Sequence, residues 1–535
     1  MSSFDHVIVG AGAAGCVLAN RLTEDPDVRV LLIEAGGKDR HPNIKIPAAF
    51  ANQFHTKLDW DYCTEPEPAV DNRSLYIPRG KSLGGSTSMN AMLYVRGRPL
   101  DYDLWVDAGA DGWGWDDVLP YFVKSEDNAR GASEFHGAGG ELRVSEQRSP
   151  RPLDRALIDA SVAAGIPRIA DYNGPEQDGV AMFQVTQRNG QRWSAADAFL
   201  RPAMKRPNLT VVTRALVTGV ELEGARATGV RYADKRGRAQ VAHASREVIL
   251  AAGAIGSPQI LMLSGIGPAS DLSAVGVEVR HDLPGVGANL QDHPFVTLIW
   301  EVTDQKTLYG ADKPKGLAEW VLRRTGPLSS SVAEVVAFVR TRSGLPAADI
   351  QFHMGAAYYD DHGQATYDGH CGVIAPVLVS PKARGRLWLR SSDPSDKPRI
   401  LTNSLAEPED VDSLIAGMEL AREIAGSEPM RSQLVKELKP GPELSDRAGL
   451  EEDLRRRLML IYHPVGTCRM GRGEDAVVDP ELRVRGIDGL RVVDASVFPI
   501  IPGGNTNAPT IMVAERASDL IRGRAPLGKA APATV

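Results

Sequence analysis

Three glycines and a carboxylate near the start of the chain have the clearest chemical spacing. In Gly10-Ala-Gly12-Ala-Ala-Gly15 the first glycine permits a tight turn, the second lets backbone N–H groups approach a pyrophosphate, and the third lets a helix pack closely on a strand. Glu34 follows about twenty residues on, where a carboxylate binds a ribose diol and repels a 2′-phosphate. This is dinucleotide chemistry, FAD or NAD, with NADP disfavoured. A chain with 53 glycines produces such spacings by chance, so the reading depends on the elements that position them. His6-Val-Ile-Val9 predicts a strand entering the turn, Cys16 to Leu22 a helix leaving it, and Val28 to Ile33 a second strand that delivers Glu34.

At 535 residues the chain exceeds what one hydrophobic core supports, so two or more domains are expected. Its 43% hydrophobic and 24% charged composition is that of a soluble globular protein. The net charge of -7, from 61 basic and 68 acidic residues without a basic block, argues against nucleic acid as a partner. Cys16, Cys63, Cys371 and Cys468 are scattered, as reduced thiols of a cytoplasmic protein would be, and no histidine or cysteine spacing points to a metal. No signal peptide is expected. The uncharged run Val248 to Ser270 is interrupted by Pro258, Gln259 and four glycines, which predicts strand, turn and short helix rather than a membrane span.

Residues 38–72 read as an irregular, proline-containing excursion. Beyond it lies a glycine and hydroxyl cluster, Gly80-Lys-Ser82-Leu-Gly84-Gly85-Ser86-Thr-Ser-Met89-Asn90. A phosphate-binding loop of the triphosphatase type would need a glycine where Leu75 stands, so the cluster is read as backbone lying close to a large flat ligand, or as an ordinary turn. Strands are predicted at Leu209–Val212, Val217–Leu222, Thr228–Tyr232 and Glu247–Leu250, the last ending in the small residues Ala251-Ala-Gly253. From about Phe295 to Ile461 aromatics and alternating runs such as Arg386-Leu-Trp-Leu-Arg390 suggest an antiparallel sheet with helices, the part that selects a substrate.

Taken together these stretches resemble the glucose–methanol–choline (GMC) family of FAD-dependent oxidoreductases, over Phe4 to Ile521. Gly80 to Asp103 and Gly253 to Gly267 match its two signatures, and Asn289-Leu-Gln-Asp-His293 and Tyr462 to Met470 are similar to its bacterial choline-dehydrogenase-like and medium-chain alcohol dehydrogenase branch. The resemblance implies an α/β fold: a Rossmann-like FAD-binding domain (1–153, 209–295 and 462–523), a substrate domain with an antiparallel sheet and helices (154–208 and 296–461), and a disordered tail (524–535). It selects FAD over NAD. Family cofactor contacts fall on Gly10, Gly12, Ala13, Ala14, Gly15, Glu34, Ala35, Arg79, Gly80, Ser82, Gly84, Gly85, Ser86, Asn90, Ala91, Met92, Leu93, Val217, Ala252, Gly253, Asp494, Ala495, Asn505, Thr506, Pro509 and Thr510. Some relatives bond FAD covalently through a histidine just before the asparagine equivalent to Asn90; here that residue is Met89, so a dissociable FAD is expected.

Alcohol oxidation moves a proton to a base and a hydride to flavin N5. Of the eleven histidines His463 suits the base, because Pro464 holds it extended and an ordinary imidazole is neutral at working pH. The resemblance pairs it with Asn507, whose amide positions the substrate oxygen, and a helix beginning there, striped by Val513, Ala517, Leu520 and Ile521, would face the flavin. Glu334, Phe352 and Tyr462 are expected at the substrate; Glu334 reads equally as a salt-bridge residue. His293 and His353 read as structural. The implied activity is a primary alcohol dehydrogenase passing electrons to a quinone or similar acceptor. An oxidase using O2, a hydroxynitrile lyase and a fatty-acid photodecarboxylase are the alternatives. A monomer or homodimer in the cytoplasm, or held at the inner face of the membrane, is compatible with the sequence.

Overall fold

The computed structural model describes residues 4–303 and 306–528. β1 (Phe4–Val9) pairs in parallel with β2 (Val30–Glu34), with His6 opposite Val30 and Val9 opposite Ile33. Between them α1 (Ala13–Leu22) starts directly after the glycine turn, and every residue from Ala14 to Leu22 is buried. Gly10 lies at φ +99°, and a Cβ on Gly15 would stand 1.8 Å from the Gly10 carbonyl oxygen. Only glycines let helix and strand approach this closely.

β3 (Leu209–Thr213) extends the sheet beyond β2, and β4 (Ala239–Leu250) lies along the other edge of β1. The sequence predicts only Glu247–Leu250 of β4. The upper half runs parallel to β1 and to β5 (Leu490–Val492), while Ala239 to His243 pair antiparallel with the strand Arg226–Ala233, itself paired with Leu216–Glu223. Most of that lower half is exposed, so no buried apolar face announces it.

α2 (Gly253–Leu263) follows β4, giving the expected strand, turn and helix. α3 (Asn507–Ile521) packs on α1. It is not one-sided: Ala508 to Asp519 are all buried, Glu515 and Arg516 included. The buried Glu515 carboxylate is matched by Arg21 of α1 at 2.7 Å and by Lys124 at 2.9 Å, as a charge removed from water requires.

The second sheet is antiparallel. Across it lie Leu434–Lys439, Leu298–Val302, Cys371–Leu378, Ile350–Gly355, Val335–Val339 and Gly179–Met182, with the short strands Pro294–Phe295 and Met459–Leu460 beside them. Cys371–Leu378 is buried throughout. The helix Pro408–Gly426 covers one face, so closely that a Cβ on Gly417 would lie 2.8 Å from Pro376. Val373 and Ala375 point the other way, toward a cavity. The run from Arg386 does form a strand, Arg386–Trp388, but pairs only with Arg399–Leu401 in a separate ribbon.

Residues 38–72 hold a short helix, Pro42–Lys45, and a 3-10 segment, Pro47–Gln53. Residues 524–528 have no regular structure, though the Leu527 N–H reaches the Tyr121 hydroxyl at 3.2 Å; the rest of the tail, 529–535, lies outside the described residues. Among the described residues no helix is long and apolar enough to cross a membrane. Because the Gly15 Cβ would strike backbone whereas a Gly12 Cβ meets nothing within 4 Å, Gly15→Val should lose about 3 kcal/mol or more. Gly12→Ala should stay within about 0.5 kcal/mol of the parent. Urea midpoints of the two variants check the contrast.

Candidate active site

Where the carboxyl ends of β1, β2 and β4 meet the inner face of the antiparallel sheet, the fold encloses a cavity of about 400 Å³, in the range of small-molecule and cofactor sites. Of the residues singled out from the sequence, Gly10, Gly12, Ala13, Ala14, Glu34, Ala35, Arg79, Gly80, Gly85, Ser86, Asn90, Ala91, Met92, Leu93, Val217, Ala252, Gly253, Asp494, Ala495, Asn505, Thr506 and Thr510 line it, together with Tyr462, His463 and Asn507.

Six do not line it. Gly15 serves the contact of α1 with the turn. Gly84 sits at φ +89° and its N–H donates to the Ala11 carbonyl at 2.8 Å, seating the second glycine loop on the first. Ser82 is buried with its hydroxyl 3.3 Å from the Leu83 carbonyl, and Pro509 is buried in the first turn of α3. Glu334 is turned away from the cavity: Arg151 holds it at 2.8 Å, and both are buried. Beside it burial and the Glu334 carboxylate push Asp154 well above the usual carboxylate range. Phe352 is on the wrong face of its strand. Gln351 and His353 point to the cavity side, and Phe352 packs into the main core.

At one end of the cavity two helix starts, Gly12-Ala13 of α1 and Ala252-Gly253 of α2, lie open, and a Cβ on Gly12 or Gly253 would meet nothing within 4 Å. The first N–H groups of α1 lack internal partners and suit the oxygens of a pyrophosphate, whereas at α2 the Ala252 and Gly253 N–H groups are taken by Ser257 (3.1 Å) and Asp494 (2.9 Å). Glu34 is held between the N–H groups of Ala11 (2.8 Å) and Gly36 (2.6 Å); burial raises its pKa, and those two bonds oppose the rise. Asp494 accepts from the Gly253 N–H (2.9 Å), the Ser257 hydroxyl (2.5 Å) and the Ser496 N–H (2.8 Å). This cradle fits a dinucleotide.

At the other end stand three imidazoles. His463 Nδ1 is 3.1 Å from His293 Nδ1, and His463 Nε2 is 3.2 Å from the Asn505 amide nitrogen. The Asn505 carbonyl in turn accepts from the Gln351 amide at 3.2 Å. With the amides placed so that Gln351 donates to Asn505 and Asn505 to His463, Nε2 is the acceptor and the His463 proton sits on Nδ1, facing His293. The Asp292 carboxylate accepts both the His293 and the His463 backbone N–H, each at 2.8 Å. Arg79 donates to the Tyr462 carbonyl at 2.8 Å, and Tyr462 itself is held at φ +71°, a strained value for a large side chain. Burial, His293, His353 and the Arg79 cation together hold His463 well below an ordinary imidazole. Asn507, the first residue of α3, also borders this end, while Phe50, Phe54, Met89, Phe295 and Tyr359 supply apolar walls.

Reading the sequence assigned His293 and His353 to structure and Asn505 to the cofactor; the fold brings all three to His463. The Asn289 to His293 run was the one available signal. Gln351 carried none.

A model of the GMC oxidoreductase family matches residues 4–295 and 381–514. The chain is 44% identical over 526 residues to the alcohol dehydrogenase [acceptor] of Pseudomonas putida, covering 97% of this chain and 95% of that one. It is 44% identical over 541 residues to mitochondrial choline dehydrogenase of Homo sapiens, covering 97% and 90%. A formate oxidase of Aspergillus oryzae, studied for its FAD modification, superposes with a TM-score of 0.92 at 30% identity over 98% of each chain. The protein belongs to the GMC oxidoreductase family. That membership, with an FAD-containing structural neighbour, supports FAD as the cofactor.

Burial holds the His293 and His353 imidazoles down to a pKa of about 3, against an ordinary 6.5. Each regains its ordinary value on unfolding, so between 6.5 and 3 the unfolded chain binds more protons and stability falls as pH drops. Asp292, pushed up by burial from 3.8 to about 7, works in the opposite sense, losing its contribution as pH rises through that interval. Three imidazoles outweigh one carboxyl. Between pH 6.5 and 4 the urea midpoint of His353→Gln should therefore fall less than that of the parent, because one of these protons is no longer taken up on unfolding.

Proposed function

We propose that the protein oxidises a primary alcohol to the aldehyde with non-covalent FAD and passes the electrons to a quinone or another acceptor. The observation that carries this reading is the chain from Gln351 through Asn505 to His463, which makes Nε2 the acceptor nitrogen at the cavity; its one lone pair takes the Asn505 N–H here, and a substrate hydroxyl would replace that donor. Bound FAD supplies the acceptor for the carbinol hydride. Gly10 to Ala14, Glu34, Ala35, Ala252, Gly253 and Asp494 would hold its dinucleotide portion, and Asn90 to Leu93, Val217, Asn505, Thr506 and Thr510 its ring. His463 takes the hydroxyl proton at Nε2 as the substrate hydroxyl displaces the Asn505 amide, and its depressed pKa keeps that nitrogen unprotonated at working pH. Asn507 donates its amide N–H to the substrate oxygen. The start of α3 adds a favourable dipole for negative charge, on the order of 0.3–1 kcal/mol.

The engagement of the carboxylates around the cavity favours an uncharged alcohol over choline, the substrate in the human relative's name. Glu334, the carboxylate that could have faced an ammonium group, is engaged by Arg151. Glu34 and Asp494 belong to the opposite end of the cavity, where backbone N–H groups hold them. A second reading, O2 as acceptor, draws support from the formate oxidase neighbour; peroxide yield under air against turnover with a dye acceptor distinguishes the two.

Anaerobic stopped-flow reduction of the flavin tests the reading directly. Hexanol and benzyl alcohol should bleach it at least about tenfold faster than choline. His463→Ala should retain its yellow flavin yet lose about 10²–10⁴ in reduction rate, with a smaller loss for Asn507→Ala; an unchanged rate in His463→Ala removes the base assignment. Since Met89 stands at the position of covalent attachment in some relatives, acid precipitation should leave the flavin in the supernatant rather than the pellet.

A further inference from the structure

The helix Pro314–Arg323 carries its apolar residues on the outside. Gly316 and Trp320 face inward, the Trp320 indole N–H donates to the Gly190 carbonyl at 2.9 Å, and the Arg324 guanidinium lies 4.0 Å over the Trp320 ring. At 3.6 residues per turn Leu317, Ala318, Val321 and Leu322 share the other face, and all four are exposed. Leu322, at 80%, is the most exposed large apolar side chain among the described residues, with Val321 at 52% and Leu317 at 45%. Over residues 306–324 the charges flanking this face are Lys306, Lys313, Lys315 and Arg323 against Asp312 and Glu319, with Arg324 turned in over Trp320, in a chain whose net charge is -7. The helix leads through the turn Pro327–Ser329 to Ser331, Val332 and Ala333 of the cavity wall. That turn packs on Pro47–Gln53, which carries Phe50 to the apolar end of the cavity.

We propose that this face lies on an anionic phospholipid surface. Leucines and valine with a basic rim are the two components of interfacial binding: apolar side chains enter the acyl boundary while Lys and Arg meet the headgroup phosphates. A local excess of positive charge on an acidic protein also fixes which side approaches such a surface. Three large side chains cover far less than the roughly 1,200–2,000 Å² of a stable protein interface, which argues against a second copy or another folded protein as the occupant. With no helix able to span among the described residues, the contact is peripheral, and it turns the apolar end of the cavity toward the lipid phase, where sparingly soluble substrates and acceptors concentrate.

Flotation of the holoenzyme with vesicles of phosphatidylglycerol and phosphatidylcholine, against phosphatidylcholine alone, tests it. The wild type should float with the anionic vesicles at low ionic strength and be released by about 0.5 M NaCl. Leu317→Glu/Leu322→Glu and Lys313→Gln/Lys315→Gln/Arg323→Gln should each lower the bound fraction about fivefold or more, with flavin content and dye-linked turnover of a soluble alcohol unchanged. Equal flotation of wild type and both variants, or no flotation of the wild type with anionic vesicles, overturns the proposal. So does a wild-type dimer on size exclusion that the leucine variant dissolves without any vesicle binding, which assigns the face to a second copy.

Discussion

One carboxylate oxygen holds the candidate active site together. Asp292 Oδ1 accepts the backbone N–H of His293 and that of His463, 171 residues apart from it in sequence. The neighbouring residues reinforce it. Gln291 and Val465 exchange N–H···O bonds at 3.1 and 2.9 Å, and the Gln291 side-chain carbonyl takes the Ile501 N–H at 3.1 Å, just ahead of Asn505. Three chain segments therefore meet at one buried junction. The ring of His463 is aimed by its backbone before any ligand arrives, which is how a site held to fractions of an ångström must be built.

The same junction sets the electrostatics. Burial disfavours charge on every imidazole there, and at His463 the nearby Arg79 cation adds to it, so the three rings are held neutral. The cost is a set of buried polar groups with little freedom to rearrange: His353 Nε2 and Asp292 Oδ2 have no hydrogen-bond partner among the described residues. Atoms of that kind are where a bound molecule or ordered water contributes most.

How much of this could be read in advance depended on how local the cause was. Gly10 and Gly15 were legible because the clash that demands glycine arises within a few residues. His463 was legible through its motif, but its partners were not, since His293 lies 170 residues away and Asn505 is 42 residues on. Glu334 was ambiguous for the same reason: its counter-charge, Arg151, is 183 residues distant. Phe352 failed differently. Its strand is buried on both faces, so apolarity alone does not reveal which alternate residues point to the cavity. In β4 the exposed half gave no apolar alternation, and only its pairing with Arg226–Ala233 makes it a strand.

The ion pair between Arg21 and Glu515 joins residues 494 positions apart, and β5 enters the parallel sheet from nearly as far along. α1 is made long before α3 and is thus among the last elements to reach its final state. Until the carboxy-terminal helix is synthesised, α1 lacks the surface that covers it and its arginine lacks a buried counter-ion. Throughout translation the nascent chain carries an unfinished amino-terminal layer, with exposed apolar residues of the kind chaperones recognise. A premature stop anywhere before α3 would leave the glycine turn intact in sequence but without a complete fold around it.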